Sequence, residues 1–143
     1  MAFELDSFLP YQLSVVAQRI SERFSRRYAA EAGLTIPEWR VLAHLFRSGE
    51  VSIRDINTRV NLDKSIVSRA ATRLESAGLL HKSDNNIDRR LIVLALTPKG
   101  EALMHRLGKI ADEFQAEILK ELGPDAGHFL DGLARLSGAH PAR

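Results

Sequence analysis

Seven side chains between positions 64 and 76 carry most of the chemistry legible in this sequence: Lys64, Ser65, Ser68, Arg69, Thr72, Arg73 and Ser76. Their alternating steps of one and three place them on one side of a 3.6-residue helix. Ile66, Val67, Ala70, Ala71, Leu74 and Ala77 fill the other side, and the small alanines allow close packing against a neighbour. The polar side mixes hydroxyls with cations and admits one acid, Glu75. Hydroxyls donate to phosphates or bases, and a guanidinium grips guanine through two parallel N–H donors. The free N–H groups at the start of such a helix add phosphate affinity. The bland alternative is an amphipathic helix with a solvated face, but such faces usually alternate Glu with Lys. A second basic group stands at Asp88, Arg89 and Arg90. Neighbours on a strand point to opposite sides. One arginine can therefore reach a minor groove or the DNA backbone while the other pairs with Asp88 or with the domain body. The alternative for this trio is a surface ion pair worth about 0–1 kcal/mol.

A third set consists of Tyr11, Arg19, Trp39, Arg40 and His44. An arginine holds a carboxylate, and Trp39 or Tyr11 can stack on or hydrogen-bond an aromatic ring. Each also has an ordinary reading, with Trp39 in the core and Arg19 as a solvated or interface charge. No nucleophile–base set, phosphate loop or paired-carboxylate signature is present, so an enzyme is not expected. Cysteine is absent, which excludes disulfides, zinc–cysteine sites and thiol chemistry. The five histidines, at 44, 81, 105, 128 and 140, never fall at i, i+4 spacing. Neither a metal site nor a cofactor is expected.

Recognisable start and stop signals mark the elements that must hold these groups. Leu9, Leu13, Val16, Ile20 and Phe24 form one apolar stripe on a helix expected over 8–32, stopped by Gly33. Thr35-Ile-Pro-Glu38 is a capping box opening a second helix, whose buried side is expected to hold Trp39, Leu42, Leu45 and Phe46. Ser52-Ile-Arg-Asp55 opens a short helix to Val60. Asn61-Leu62 turns the chain, and Asp63 is placed to cap the helix over 64–77, which Gly78 stops. Two short helices joined by so brief a turn read as a helix-turn-helix. Leu79–Ser83, the polar turn Asp84–Asp88 and Arg89–Leu96 read as a β-hairpin, a basic wing. Thr97-Pro98 starts a long helix striped with Leu103, Leu107, Ile110, Phe114, Ile118 and Leu122. Gly123-Pro124 breaks it, and a last helix is expected over about 125–137.

The expected fold is therefore mainly α with a small β-hairpin wing. A chain of 143 residues, 45% hydrophobic and 27% charged, suits one domain over 1–143. Net charge is only +2, but residues 53–100 carry nine basic and five acidic side chains, whereas 101–143 carry five and seven. A basic middle suits a polyanion such as double-stranded DNA. The N-terminal MAFELDSF is acidic, unlike a signal peptide, and the longest apolar run, Leu91–Leu96, is too short to span a bilayer. Location is expected to be cytoplasmic, with no membrane partner. The long terminal stripes exceed what the central unit can cover, which suggests a two-fold homodimer. A monomer whose end helices cover each other is the alternative.

Taken in order, Leu34-Thr-Ile-Pro-Glu-Trp-Arg-Val-Leu, Leu62-Asp-Lys-Ser-Ile-Val-Ser-Arg, Arg73-Leu-Glu-Ser-Ala-Gly-Leu-Leu, Asp88-Arg-Arg and Leu96-Thr-Pro-Lys-Gly resemble the MarR family of regulators over about residues 10–120. One departure is that the basic residue after Gly-Leu-Leu comes a place late, His81 preceding Lys82. The resemblance implies a winged helix-turn-helix lobe over 35–100 and dimerisation helices over 8–34 and 101–138. It implies a homodimeric, ligand-responsive repressor on a pseudo-palindromic operator. Contacts would come from Ser65, Ser68, Arg69, Thr72 and Arg73, beside the Lys64 already singled out, with the wing reached through Asp88, Arg89 and Arg90. Such regulators commonly bind small anionic or phenolic effectors. The opening Phe8-Leu-Pro-Tyr-Gln-Leu-Ser resembles regulators of aromatic-acid catabolism, pointing to an aromatic carboxylate or its thioester. An effector-independent architectural protein and a winged-helix protein-interaction module are the other readings.

Overall fold

A computed structural model of the chain describes residues 2–84 and 92–138. After a 3-10 turn at Leu5–Ser7 come helices α1 (Leu9–Ala32) and α2 (Ile36–Ser48), strand β1 (Val51–Ser52), and helices α3 (Ile53–Arg59) and α4 (Lys64–Ser76). Strands β2 (Leu80–Asp84) and β3 (Ile92–Leu96) follow, then α5 (Pro98–Leu122), a 3-10 turn at Gly123–Asp125 and α6 (Ala126–Leu136). The chain divides into two compact units, Met1–Gly108 and Lys109–Arg143.

In the first unit the helix boundaries follow local chemistry. Gly33 closes α1 at φ 68°. The capping box of α2 is complete: Thr35 Oγ1 accepts from the Glu38 amide at 3.4 Å, and the Thr35 amide donates to Glu38 Oε1 at 3.0 Å. Ser52 Oγ accepts from the Asp55 amide at 3.2 Å and opens α3. Asn61 takes a left-handed φ of 55° in the turn before α4, a conformation asparagine tolerates better than most residues. The Asp63 side chain, however, makes no capping bond. The helix opens instead on the backbone bond from the Val67 amide to the Asp63 carbonyl, 3.1 Å. At the far end α4 stops at Ser76, one residue earlier than expected, with Gly78 at φ 76° reversing the chain into β2.

The sheet has three strands in the order β1-β3-β2, all antiparallel, rather than the expected hairpin alone. Leu80 faces Leu96 and Asp84 faces Ile92 across the hairpin, while Val51 faces Leu94 on the other edge. A two-residue strand has no alternation to read, so β1 left no trace in the sequence.

The core of this unit is formed by Val41, Leu42, Leu45, Ile56, Val60, Val67, Ala70, Ala71, Leu74, Leu80, Leu94, Leu103, Met104 and Leu107. The buried face of α2 is Glu38, Val41, Leu42 and Leu45. Phe46 lies roughly 90° around the helix from that face at 100° per residue. It is 42% exposed, edge-on to His105 at 5.1 Å, against the expectation that it would be buried. Of the α4 residues expected inward, Val67, Ala70, Ala71 and Leu74 are buried, Ile66 is half-buried and Ala77 is exposed.

Residues Leu96-Thr-Pro-Lys-Gly100 join the end of β3 to the start of α5 and fasten it to the chain leaving α4. The Thr97 amide donates to the Leu79 carbonyl at 3.1 Å, and Thr97 Oγ1 donates to the Gly78 carbonyl at 2.6 Å. The same hydroxyl accepts from the Gly100 amide at 3.0 Å, and Lys99 Nζ donates to the Ala77 carbonyl at 2.9 Å. A Cβ on Gly100 would drive into the Leu79 carbonyl and stand 3.3 Å from Leu96 Cδ2. Threonine and glycine three residues apart are thus what lets α5 start directly against the chain leaving α4.

In the second unit Phe114 is buried, while Phe129, Leu130, Leu133 and Leu136 on α6 are each more than a third exposed. Among the described residues no helix is long and apolar enough to cross a membrane, and no three His, Cys, Asp or Glu side chains gather as metal ligands would.

Candidate nucleic-acid interface

Helix α4 packs its alanine-rich side against α2. Burying Val67 and Leu74 contributes roughly 1.5–3 kcal/mol each, which holds the helix against rotation about its axis. Lys64, Ser65, Ser68, Arg69, Thr72, Arg73 and Ser76 are consequently all exposed, on one continuous surface.

Two of these positions, Thr72 and Arg73, are tied to neighbours through their side chains. Thr72 Oγ1 donates to the Ser68 carbonyl at 3.0 Å and accepts from Lys82 Nζ at 3.1 Å. Lys82 is half-buried on β2, and its amide donates to Glu75 Oε2 at 3.3 Å. Glu75, the one acid on this helix, therefore fastens the hairpin to it. Arg73 Nε lies 3.8 Å from Glu38 Oε2, across from α2. Lys82 was not among the residues expected to act here. Its signal was present, a cation two places after Leu80, but the pairing that turns β2 onto α4 is tertiary. An exposed surface of four cations and several hydroxyls, closed by a helix N-terminus, is chemically suited to a phosphate backbone and to base edges. Asp88, Arg89 and Arg90 lie outside the described residues, between Asp84 and Ile92 in sequence.

The residues expected to hold an effector are divided between α1 and α2. Trp39 is half-buried, stacked on Tyr28 at 5.5 Å with an interplanar angle of 18° and edge-on to Phe24 at 5.0 Å. Tyr28 itself is 1% exposed. Burial pushes its phenol up to about 12, partly opposed by the Arg40 guanidinium. Arg40 and His44 follow along α2, both half-buried. His44 is held below its ordinary value of 6.5, first by burial and then by Arg59 and Arg47, although it donates to the Arg59 backbone. Tyr11 and Arg19 are exposed on α1. Tyr11 precedes Phe24 by about 20 Å of helix at 1.5 Å per residue, and Arg19 is turned roughly 140° from Phe24.

A sequence model described as the MarR family matches residues 34–92. The chain is 28% identical over 127 residues to the uncharacterised HTH-type transcriptional regulator YdgJ of Bacillus subtilis, a match covering 88% of this chain and 75% of that protein. Its fold matches Bordetella bronchiseptica BpsR, a protein whose DNA binding is regulated by 6-hydroxynicotinic acid. The TM-score is 0.81 at 23% identity, covering 99% of this chain and 100% of that one. It also matches NadR, solved in complex with 4-hydroxyphenylacetate, with a TM-score of 0.79 at 26% identity over 98% and 99% of the two chains. The ordered motifs, a three-stranded winged lobe with an outward-facing second HTH helix, and these relatives agree: over residues 34–92 the chain matches the MarR family, and its relatives are helix-turn-helix transcriptional regulators.

Proposed function

We propose that this regulator is a cytoplasmic homodimer that binds a pseudo-palindromic operator through α4 and represses until an aromatic carboxylate, or its thioester, releases it. The observation that carries the DNA assignment is the exposed, acid-poor face of α4 with Lys82 added from β2. Arg69 and Arg73 read bases, Lys64, Ser65, Ser68, Thr72 and Lys82 grip phosphates or bases, and Asp88, Arg89 and Arg90 extend the contact from the wing. The 35–100 lobe presents this face, and segments 8–34 and 101–138 pair the copies. Exposed apolar side chains support pairing: Phe8, Leu9, Leu13 and Val16 near the N-terminus and Phe129, Leu130 and Leu133 on α6 are 38–49% exposed in the single chain. Patches of this kind on a globular protein mark interaction sites. Pairing sets two recognition helices about 34 Å apart, one turn of DNA.

The effector reading rests on NadR, whose bound 4-hydroxyphenylacetate is an aromatic carboxylate, and on the residue chemistry here. Trp39, Arg40 and His44 offer a ring, a guanidinium and an imidazole on one helix. Tyr11 and Arg19, exposed on α1, add a phenol and a second guanidinium, with Tyr11 reaching the site from the partner copy. A ligand that prefers another spacing of the two lobes weakens DNA binding by its differential affinity for the two forms.

Fluorescence anisotropy with duplexes from the gene's own upstream region tests this. Sedimentation should give a dimer, and affinity should fall steeply between 50 and 200 mM salt, by roughly 10³ or more if six phosphates are contacted. Arg69→Ala should lower operator affinity at least about fivefold, the lower end of what one bidentate base contact contributes. Adding 4-hydroxyphenylacetate or a hydroxycinnamate should release the DNA. A monomer, or a dimer that ignores every duplex at low salt, would refute the DNA reading. A full panel of aromatic acids without effect would retire the effector alone.

A further inference from the structure

Glu38 is the one charged side chain in the buried set among the described residues, 8% exposed. Its two oxygens are divided between two tasks. Oε1 accepts from the Thr35 amide at 3.0 Å and from Thr35 Oγ1 at 2.7 Å, which begins α2. Oε2 faces Arg73 Nε at 3.8 Å. The Arg73 side chain is 56% exposed while that of Glu38 is only 11% exposed. The guanidinium therefore lies at the rim of a largely enclosed carboxylate, with its Nε edge turned inward. Its two terminal nitrogens are the atoms left to reach outward, and these form the fork that matches guanine O6 and N7.

We infer that Glu38 is a specificity-determining positioning residue: it fixes which edge of Arg73 meets the DNA, and so which base pair the regulator prefers in each half-site. This rests on the α4 face being the DNA surface. A free arginine at the rim of a helix samples many rotamers and favours phosphate over base. One whose Nε faces an enclosed carboxylate at 3.8 Å is biased toward a single orientation before the duplex arrives, so less entropy is spent on forming the base contact. Glu38 also sits at the start of α2, directly after the turn from α1. The orientation of Arg73 is thus anchored to the helix junction rather than to α4 itself.

The test is Glu38→Gln. Glutamine also completes a capping box, so the helix start survives while the charge facing Arg73 is lost. Selection from a duplex library randomised across the half-site, read alongside melting and salt dependence, separates the outcomes. Glu38→Gln should keep the wild-type dimer, melting temperature and salt slope. It should lose about tenfold of the preference at one base pair per half-site. Arg73→Ala should erase the preference at that same pair, and the double variant should lose no more than Arg73→Ala alone, since the two act as one unit. If Glu38→Gln fails to fold, Glu38→Asp takes its place, withdrawing the carboxylate by a methylene while keeping the charge. A purely structural role would depress stability and all affinities together and leave the base preference intact. An unchanged preference in the folded variant, or losses that simply add, overturns the assignment while leaving the DNA surface standing. A wild-type protein with no base preference at any pair overturns the assignment too, and one that binds no duplex at low salt brings down both.

Discussion

Replacing Gly100 by alanine sets two effects of opposite sign against each other. Gly100 lies in the first turn of α5, and on intrinsic propensity alone alanine would stabilise the helix by about 1 kcal/mol. The tertiary effect runs the other way. The new Cβ would overlap the Leu79 carbonyl oxygen, sit 3.0 Å from its carbonyl carbon and 3.3 Å from Leu96 Cδ2. The nearest obstacle is backbone, which cannot rotate aside, so α5 must lift away from the chain leaving α4. That movement stretches the 3.1 Å bond from the Thr97 amide to Leu79 and the 2.6 Å bond from the Thr97 hydroxyl to Gly78. Two weakened hydrogen bonds at about 1 kcal/mol each, plus an overpacking penalty of roughly 1–3 kcal/mol, outweigh the propensity gain by about 2–4 kcal/mol. For a chain of this length that corresponds to a melting temperature lowered by about 10 °C. Thermal unfolding followed by far-UV circular dichroism, at matched protein concentration because a dimer's melting depends on it, measures the shift. Gly108→Ala on the same helix is the control: nothing lies within 4 Å of its added Cβ, so it should gain about 0.5–1 kcal/mol. A Gly100→Ala protein melting at or above wild type would mean that α5 does not start against Leu79 as described.

Three further outcomes follow from the same geometry. His44 is held below its ordinary 6.5 in the folded chain, so below that pH the unfolded chain binds more protons and stability falls as pH drops from 6.5 through the lower folded value. Urea midpoints at pH 7.5 and 5.0 should differ more in wild type than in His44→Gln, and an equal drop in both would contradict the assignment. Thr97→Val removes both the hydroxyl's donated bond to Gly78 and its accepted bond from Gly100. A loss of about 1–3 kcal/mol is expected in chemical denaturation, and no loss would show the junction to be held by backbone alone. Leu13→Glu places a charge on an apolar, 38% exposed position of α1. Sedimentation should show monomers and operator affinity should collapse, whereas an intact dimer would move the pairing surface elsewhere.

Local chemistry determined a good deal here. The helix starts at Thr35 and Ser52, the stops at Gly33 and Gly78, and the outward face of α4 were all legible, because capping and periodicity act within four residues and need no partner. The motif Leu96-Thr-Pro-Lys-Gly100 could be noticed but not explained. Its reason is a contact between α5 and Leu79, 21 positions away from Gly100 in the chain. The same holds for β1, which exists only because β3 offers an edge, and for Phe46, whose stripe position did not reveal which side of α2 the core would take. Glu38 and Lys82 mark the division most clearly. In sequence the first is a capping residue and the second a cation one place late. Only the packing of α2 and β2 around α4 brings them to Arg73 and Thr72. Sequence thus determined which side chains α4 turns outward, and tertiary structure decided how those side chains are held, because orientation comes from neighbours distant along the chain and near in space.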